Sequence, residues 1–187
     1  MAKIIQTGHK TLRETAQDVP PEEIKSEKIK KLLADMAKTL SATPDGVALA
    51  APQINIPLRI FIVLKEFYDI KPEEIEKQKE ETSDKKSEKE KNTIKPVVVF
   101  INPKITKLSK KKQIVREGCL SVAGIFGTIA RAEKAAVEAI NENGQKFSRG
   151  ASGLLAQIFQ HEMDHLNGVL FTDFATNLEK IENPEKI

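Results

Sequence analysis

An α+β fold is what this sequence predicts, a single domain in which mixed or antiparallel strands gather around one central helix. Three observations carry that expectation. Residues 151–167 have helical spacing and hold His161-Glu-Met-Asp-His165, residues 26–41 show a second helical period, and short β-rich runs bounded by turn residues lie between them. At 187 residues, the chain suits one domain with a sizeable core.

The first helix is read over residues 26–41, where Ile29, Leu32, Leu33, Met36, Ala37 and Leu40 recur at helical spacing behind Ser26 as N-cap. Pro44-Asp45-Gly46 ends it. Strands follow over Leu58 to Leu64 and Val97 to Asn102, and Gln113 to Arg116 leads into a block around Cys119. Residues 134–149 read as a hairpin turning at Asn143-Gly144, with Val137 and Ala139 alternating against Glu138. The central helix runs from about Ala151 to Asn167 and stops at Gly168, a residue suited to the left-handed position after a helix.

One segment departs from this pattern. Residues 71–91 contain seven lysines, eight acidic residues, one proline and a single aliphatic, Ile75, too little apolar surface to order themselves. They read as a solvated, mobile insertion at about 66–95, with a docking arm as the alternative. Across the whole chain 30 basic residues meet 27 acidic ones, a net charge of +3 that makes no case for nucleic acid or membrane as a partner. No apolar run approaches membrane-spanning length, the N-terminus lacks a signal-like apolar core, and one cysteine cannot form an internal disulfide. A reducing cytoplasm is therefore the expected setting, and a monomer the expected state.

Chemistry enters with the central helix. At about 100° per residue, His161 and His165 fall within roughly 40° of each other, so both imidazoles can reach one metal ion. Glu162 points to a neighbouring direction, where it can touch water at the metal without being a ligand. Leu154 and Ile158 continue the same face as an apolar stripe, which sets the site against the core. His9, the third histidine, reads as a surface residue. A hydrolytic metal takes three protein ligands and leaves one position open. The 19 residues after Gly168 look too short and broken for a downstream glutamate, so the candidate is Cys119, in Arg116-Glu-Gly-Cys-Leu-Ser121. Its thiolate suits iron, zinc or nickel over magnesium or calcium. Gly118 lets backbone pass close to a ligand, and Glu117 either orients a neighbour or is a solvated charge.

With these residues in view, the chain resembles the peptide deformylases, which remove the formyl group from the N-terminal methionine of new polypeptides. Three blocks carry the resemblance: Gly46-Val-Ala-Leu-Ala-Ala-Pro-Gln53, Glu117-Gly-Cys-Leu-Ser121, and Gln160-His-Glu-Met-Asp-His165 followed by Leu-Asn-Gly. Weaker similarity runs through Leu12-Arg13, Ile101-Asn-Pro103, Gly153-Leu-Leu-Ala156, Leu170-Phe171 and Asp173, leaving out only residues 66–95.

The resemblance implies one divalent ion on Cys119, His161 and His165, Fe(II) first, with Zn(II) or Ni(II) fitting the same donors. It implies Glu162 as acid and base, and the Gln53 amide with the Leu120 backbone N–H as donors to the developing oxyanion. Val47, Leu154 and Ile158 would line a pocket for the methionine side chain, while Ala48 and Gly118 would bond the peptide backbone in β-like fashion. The implied partners are formylmethionyl nascent peptides and the ribosome that delivers them. Ala48 stands where a second glycine is usual, placing a methyl where the peptide should approach, and Ala123 stands where proline is common. Residues 122–127 also lack a charge that many relatives carry there. Asp164 is a candidate to pair with Arg131 as a brace for the helix. Two other readings use the same residues: an endopeptidase of the H-E-x-x-H class, and a silent relative that only binds peptides or the ribosome.

Overall fold

In the computed structural model, residues 2–69 and 93–181 are described; the charged stretch 71–91 lies outside them. Helix α1 (Glu27–Ser41) starts where expected, with the Ser26 hydroxyl accepting from the Ile29 amide at 3.3 Å. It stops three residues before Pro44. The Ser41 and Thr43 hydroxyls donate to the carbonyls of Ala37 and Thr39, satisfying the last turn, and Asp45 turns the chain at φ 58° into β1 (Ala48–Ala50).

Strand β2 (Ile60–Leu64) is buried at every position because it has apolar partners on both faces. Phe61 and Val63 pack with Phe100 and Phe159, whereas Ile60, Ile62 and Leu64 pack with Ile29, Met36 and Leu40 of α1. Short helix α2 (Lys65–Tyr68) follows, and the Lys65 amide bonds the carbonyl of Pro96 just before β3 (Val97–Leu108). The sequence ends β3 at Asn102, but the strand runs six residues further. Asn102 adopts φ 50° and the register shifts between Ile101 and Lys104, so Pro103 sits in a bulge that needs no donor from it. Meanwhile the Asn102 side chain bonds both the N–H and the C=O of Val19, fastening the N-terminal segment to the sheet.

The next strands are β4 (Lys112–Cys119), β5 (Val122–Ala132), β6 (Lys134–Ile140) and β7 (Lys146–Ser152), then helix α3 (Gly153–Leu166) and strand β8 (Thr176–Lys180). All pairs of named strands are antiparallel, in a five-stranded sheet of order β1-β2-β3-β6-β7 and a three-stranded sheet β4-β5-β8. The β6–β7 hairpin keeps the expected alternation, with Val137 and Ala139 buried and Glu138 exposed. Helix α3 lies centrally, touching β1, β3, β6, β7 and, from the other sheet, β5. Its end is the expected one: Gly168 has φ 74°, and an added Cβ would lie 2.7 Å from the Arg13 carbonyl oxygen, so only glycine fits. His9 is half-buried, its Nδ1 accepting from the Thr11 amide, so it caps a 3-10 turn (Lys10–Arg13) in place of standing free on the surface.

The core beneath α3 centres on Phe100, stacked on Phe61 at 4.4 Å between ring centroids and meeting Phe147 and Phe159 at 5.2 and 5.3 Å. Truncating a ring enclosed on all sides leaves a cavity that its neighbours cannot close. Phe100→Ala is therefore expected to lower unfolding free energy by about 3–5 kcal/mol, measured by denaturant titration at fixed metal content. A loss under 1 kcal/mol would mean that this cluster does not hold the sheet to α3.

Candidate active site

Two structural devices bring the sequence blocks together. The first is the corner between β4 and β5: the register passes from Gly118↔Phe126 to Cys119↔Val122, so the chain turns sharply at Leu120-Ser121 and presents Cys119 at the end of its strand. The second is α3, which carries His161, Glu162 and His165 against that corner. Gln160 fastens the two, its amide bonding both the N–H and the C=O of Ala132 at 2.9 and 3.0 Å. The helix is thereby joined to β5 as another strand would be.

Cys119 Sγ lies 3.1 Å from His165 Nε2, and the donor atoms of Cys119, His161 and His165 are within 4.8 Å of one another. Such separations suit one ion at about 2.3 Å from sulfur and 2.0–2.1 Å from nitrogen. The expected brace is present and longer than the sequence indicates. Arg131 holds Asp164 at 2.7 Å and grips both oxygens of Glu117 at 2.8 and 2.9 Å, and Glu117 in turn meets His161 Nδ1 at 3.0 Å. Of the two roles open to Glu117, the orienting one holds, since its side chain is 2% exposed and committed to both partners. With Nδ1 engaged, His161 is left with Nε2 for the cluster, the arrangement that fixes a ligating imidazole.

The electrostatics follow from this geometry. Burial would raise the Glu117 carboxyl, but hydrogen bonds from His161 and Arg131 outweigh it and hold the group at about 2. Burial likewise opposes the Cys119 thiolate, yet His165 and His161 bring the thiol down to about 5, so the sulfur is an anion at neutral pH. For His161, burial disfavours the charged ring, and the thiolate and Glu117 raise it nonetheless. The triad therefore draws positive charge into its centre, as a cation site must, and a proton held there would be displaced on metal binding. Of the three buried side-chain atoms that have no hydrogen-bond partner among the described residues, two belong to this site, Glu162 Oε2 and His165 Nδ1, and the third is Arg149 Nε. Burial lifts the Glu162 carboxyl to about 7 against the pull of the two histidines, close to where a general acid and base works best.

These groups close one end of a cavity of about 590 Å³. Every residue that the sequence assigned to substrate lines it: Val47, Ala48, Gly118, Leu154 and Ile158, with Gln53 and Leu120. His165 stands behind the wall, 1% exposed. Gln53 is likewise buried, its Oε1 accepting from the Ala50 amide at 2.8 Å while Nε2 points at Ser121 Oγ and Cys119 Sγ, 3.4 and 3.6 Å away. One end of this amide thus caps local backbone and the other faces the thiolate. Ala48 is paired with Val63 in β1 and is absent from the positive-φ residues, so its methyl carries no backbone strain. Gly118 has a second use beyond the one expected: a Cβ there would lie 2.6 Å from the Phe126 ring, so its missing side chain admits that ring beside the cavity. Sequence reasoning missed Phe126, along with Arg116, Gln157 and Ile181, which also line the cavity.

A thiolate and two imidazoles around one point, with a buried carboxyl alongside and a largely apolar cavity in front, make up the apparatus of a metal-dependent hydrolase. Residues 1–181 match the family model described as polypeptide deformylase, and the chain belongs to that family, whose members remove N-formyl groups from nascent peptides. Peptide deformylase 2 of Clostridium acetobutylicum is 35% identical over 160 residues, covering 86% of this chain and 87% of that protein. The chloroplastic peptide deformylase 1A of Solanum lycopersicum is 37% identical over 177 residues, or 92% of this chain, which spans 59% of the plant protein. The fold agrees with the crystal structure of the Thermotoga maritima peptide deformylase at a TM-score of 0.73, with 31% identity and coverage of 94% and 98% of the two chains. It also agrees, at 0.73 and 29% identity over 93% of this chain and 98% of the other, with an Acinetobacter baumannii peptide deformylase crystallised with Met-Ala-Ser bound. No helix among the described residues is long and apolar enough to cross a membrane.

Proposed function

We propose that this chain hydrolyses the N-formyl group of formylmethionyl nascent peptides, releasing formate. The observation that carries the reading is the meeting of Cys119, His161 and His165 beside the buried, unpaired Glu162 carboxyl at the closed end of the cavity. Cys119, His161 and His165 would hold the ion, and Fe(II) is the metal inferred, with Zn(II) and Ni(II) suited to the same soft donor set. Held there, it supplies Lewis-acid polarisation of a carbonyl oxygen and acidification of water.

The protein's own groups do the rest. Glu162 takes the proton of the attacking water and delivers it to the departing amine nitrogen, a task supported by burial that keeps its carboxyl near 7. Gln53, anchored through Oε1 on Ala50, turns its Nε2–H toward the growing oxyanion, with the Leu120 N–H as second donor. Val47, Leu154 and Ile158 receive the methionine side chain, and the backbones of Ala48 and Gly118 hold the peptide as an added strand beside β1, which among the described residues is an edge strand paired with β2. The likeness to the Acinetobacter protein, which binds Met-Ala-Ser, supports a substrate with methionine first. The same reading puts the protein, as a monomer, near ribosomes in a reducing cytoplasm that preserves the thiolate. Formate release from formyl-Met-Ala-Ser by metal-loaded protein is the test. Release from the formyl peptide and none of acetate from its acetyl counterpart is expected, and an inert formyl peptide would overturn the proposal.

A further inference from the structure

The charged side chains around the cavity are unequal in their freedom. Glu117 is buried and committed to Arg131 and His161, while Glu162 lies at the closed end. Arg116 is different. Its side chain is 57% exposed, its guanidinium carbon stands 4.5 Å over the Phe126 ring, and the nearest carboxylate, Glu179 on β8, is 3.5 Å away and 68% exposed. Gln157 of α3 donates to the Arg116 carbonyl at 3.0 Å, fixing the backbone beneath it. The ring that supports the guanidinium is the one that fills the clearance over Gly118. Position and orientation are thus built in, whereas the ion pair with Glu179 is solvated, long and weak, and can be exchanged for another carboxylate.

We infer that Arg116 selects substrates by the charge of their third residue, favouring an acidic side chain there; this rests on the deformylase reading above. Arg116 precedes Cys119 by three positions on β4, about 10 Å at roughly 3.3 Å per residue. A substrate with its formyl carbon at Cys119 and an extended chain running outward covers the same about 10 Å at its third residue. Residues 122–127, on the facing strand, contain no charged side chain, so among the described residues Arg116 and Glu179 set the charge at this part of the rim. Asp45, the other exposed charge lining the cavity, belongs to the loop before β1.

The experiment compares formyl-Met-Ala-Asp-amide with formyl-Met-Ala-Lys-amide, so that no terminal carboxylate competes, using metal-loaded protein at low salt. An exposed charge pair supports a KM lower by about two- to fivefold for the Asp peptide, shrinking as salt screens it, with the difference in KM and not in kcat. Arg116→Glu should reverse the order of the two peptides, and Glu179→Gln should widen the wild-type ratio by removing the competing carboxylate. Equal KM values with normal formate release, or an unchanged order in Arg116→Glu, would overturn the assignment alone. Absence of formate release from every peptide would overturn the deformylase reading and this inference with it.

Discussion

Replacing Glu162 with glutamine leaves the ion bound and lowers formate release by about two to four orders of magnitude, the usual contribution of a positioned acid and base. The change is nearly isosteric and touches none of Cys119, His161 and His165, so metal content separates loss of proton transfer from loss of the site. Glu162 Oε2 has no hydrogen-bond partner to lose. Stability gives an independent readout. Burial raises the Glu162 carboxyl from 4.5 to about 7, so in metal-free protein its contribution is fully present below about 4.5 and is lost as pH rises through about 7. Glutamine carries no such titration. Metal-free Glu162→Gln should therefore gain on the wild type across that interval, and a gap independent of pH would contradict the burial argument. Near-normal turnover with metal retained would remove Glu162 from the chemistry.

Cys119→Ser acts one step earlier. The thiolate is held at about 5 by the two histidines, so it meets a cation already ionised, whereas a serine hydroxyl would remain protonated and bind far more weakly. Affinity for the ion should fall by on the order of 100-fold or more, read by competition with a chelator, and formate release should fall with occupancy. Cys119 lies outside the Phe100 core, so the metal-free variant should still fold, but it lacks the stabilisation that the depressed thiol gives the metal-free wild type, a deficit that is full above about pH 9 and closes as pH falls through about 5. Full metal retention in Cys119→Ser would mean that the third donor lies elsewhere.

How much of this was legible beforehand depended on whether a residue's role lay in its own neighbourhood. Helix α1, strand β2, the β6–β7 hairpin and helix α3 have local patterns, and each appears within a few residues of where periodicity and capping place it. Strand β5 does not read as a strand because Gly124 and Gly127 interrupt it; Gly124 adopts φ 72°, and Gly127 makes room for Leu178. Strand β8 is exposed at all five positions, so no alternation marks it, and it exists through pairing with β5. The division into two sheets was equally hidden, since β3 and β4 are joined by a turn of only three residues, Ser109 to Lys111, yet enter different sheets.

The site divides along the same line. The groups proposed to hold the metal and to react were visible as motifs, because a metal needs particular atoms at particular spacings. The groups that hold them were half visible. Arg131 was paired correctly with Asp164, but its double contact to Glu117 depends on β4–β5 register and on the burial of both side chains, neither of which a charged sequence advertises. The Gln160 clasp on Ala132 was missed for a similar reason: a buried glutamine satisfied by one strand residue has no sequence signature.

Whether Cys119, His161 and His165 hold the ion on which deformylation depends is decided by following metal content and formate release in one sample. Protein stripped by a chelator should release no formate from formyl-Met-Ala-Ser, and activity should return in proportion to added Fe(II), reaching its plateau at one ion per chain. Protein carrying one ion per chain on these three residues, yet releasing no formate, would mean that this ion does not serve deformylation.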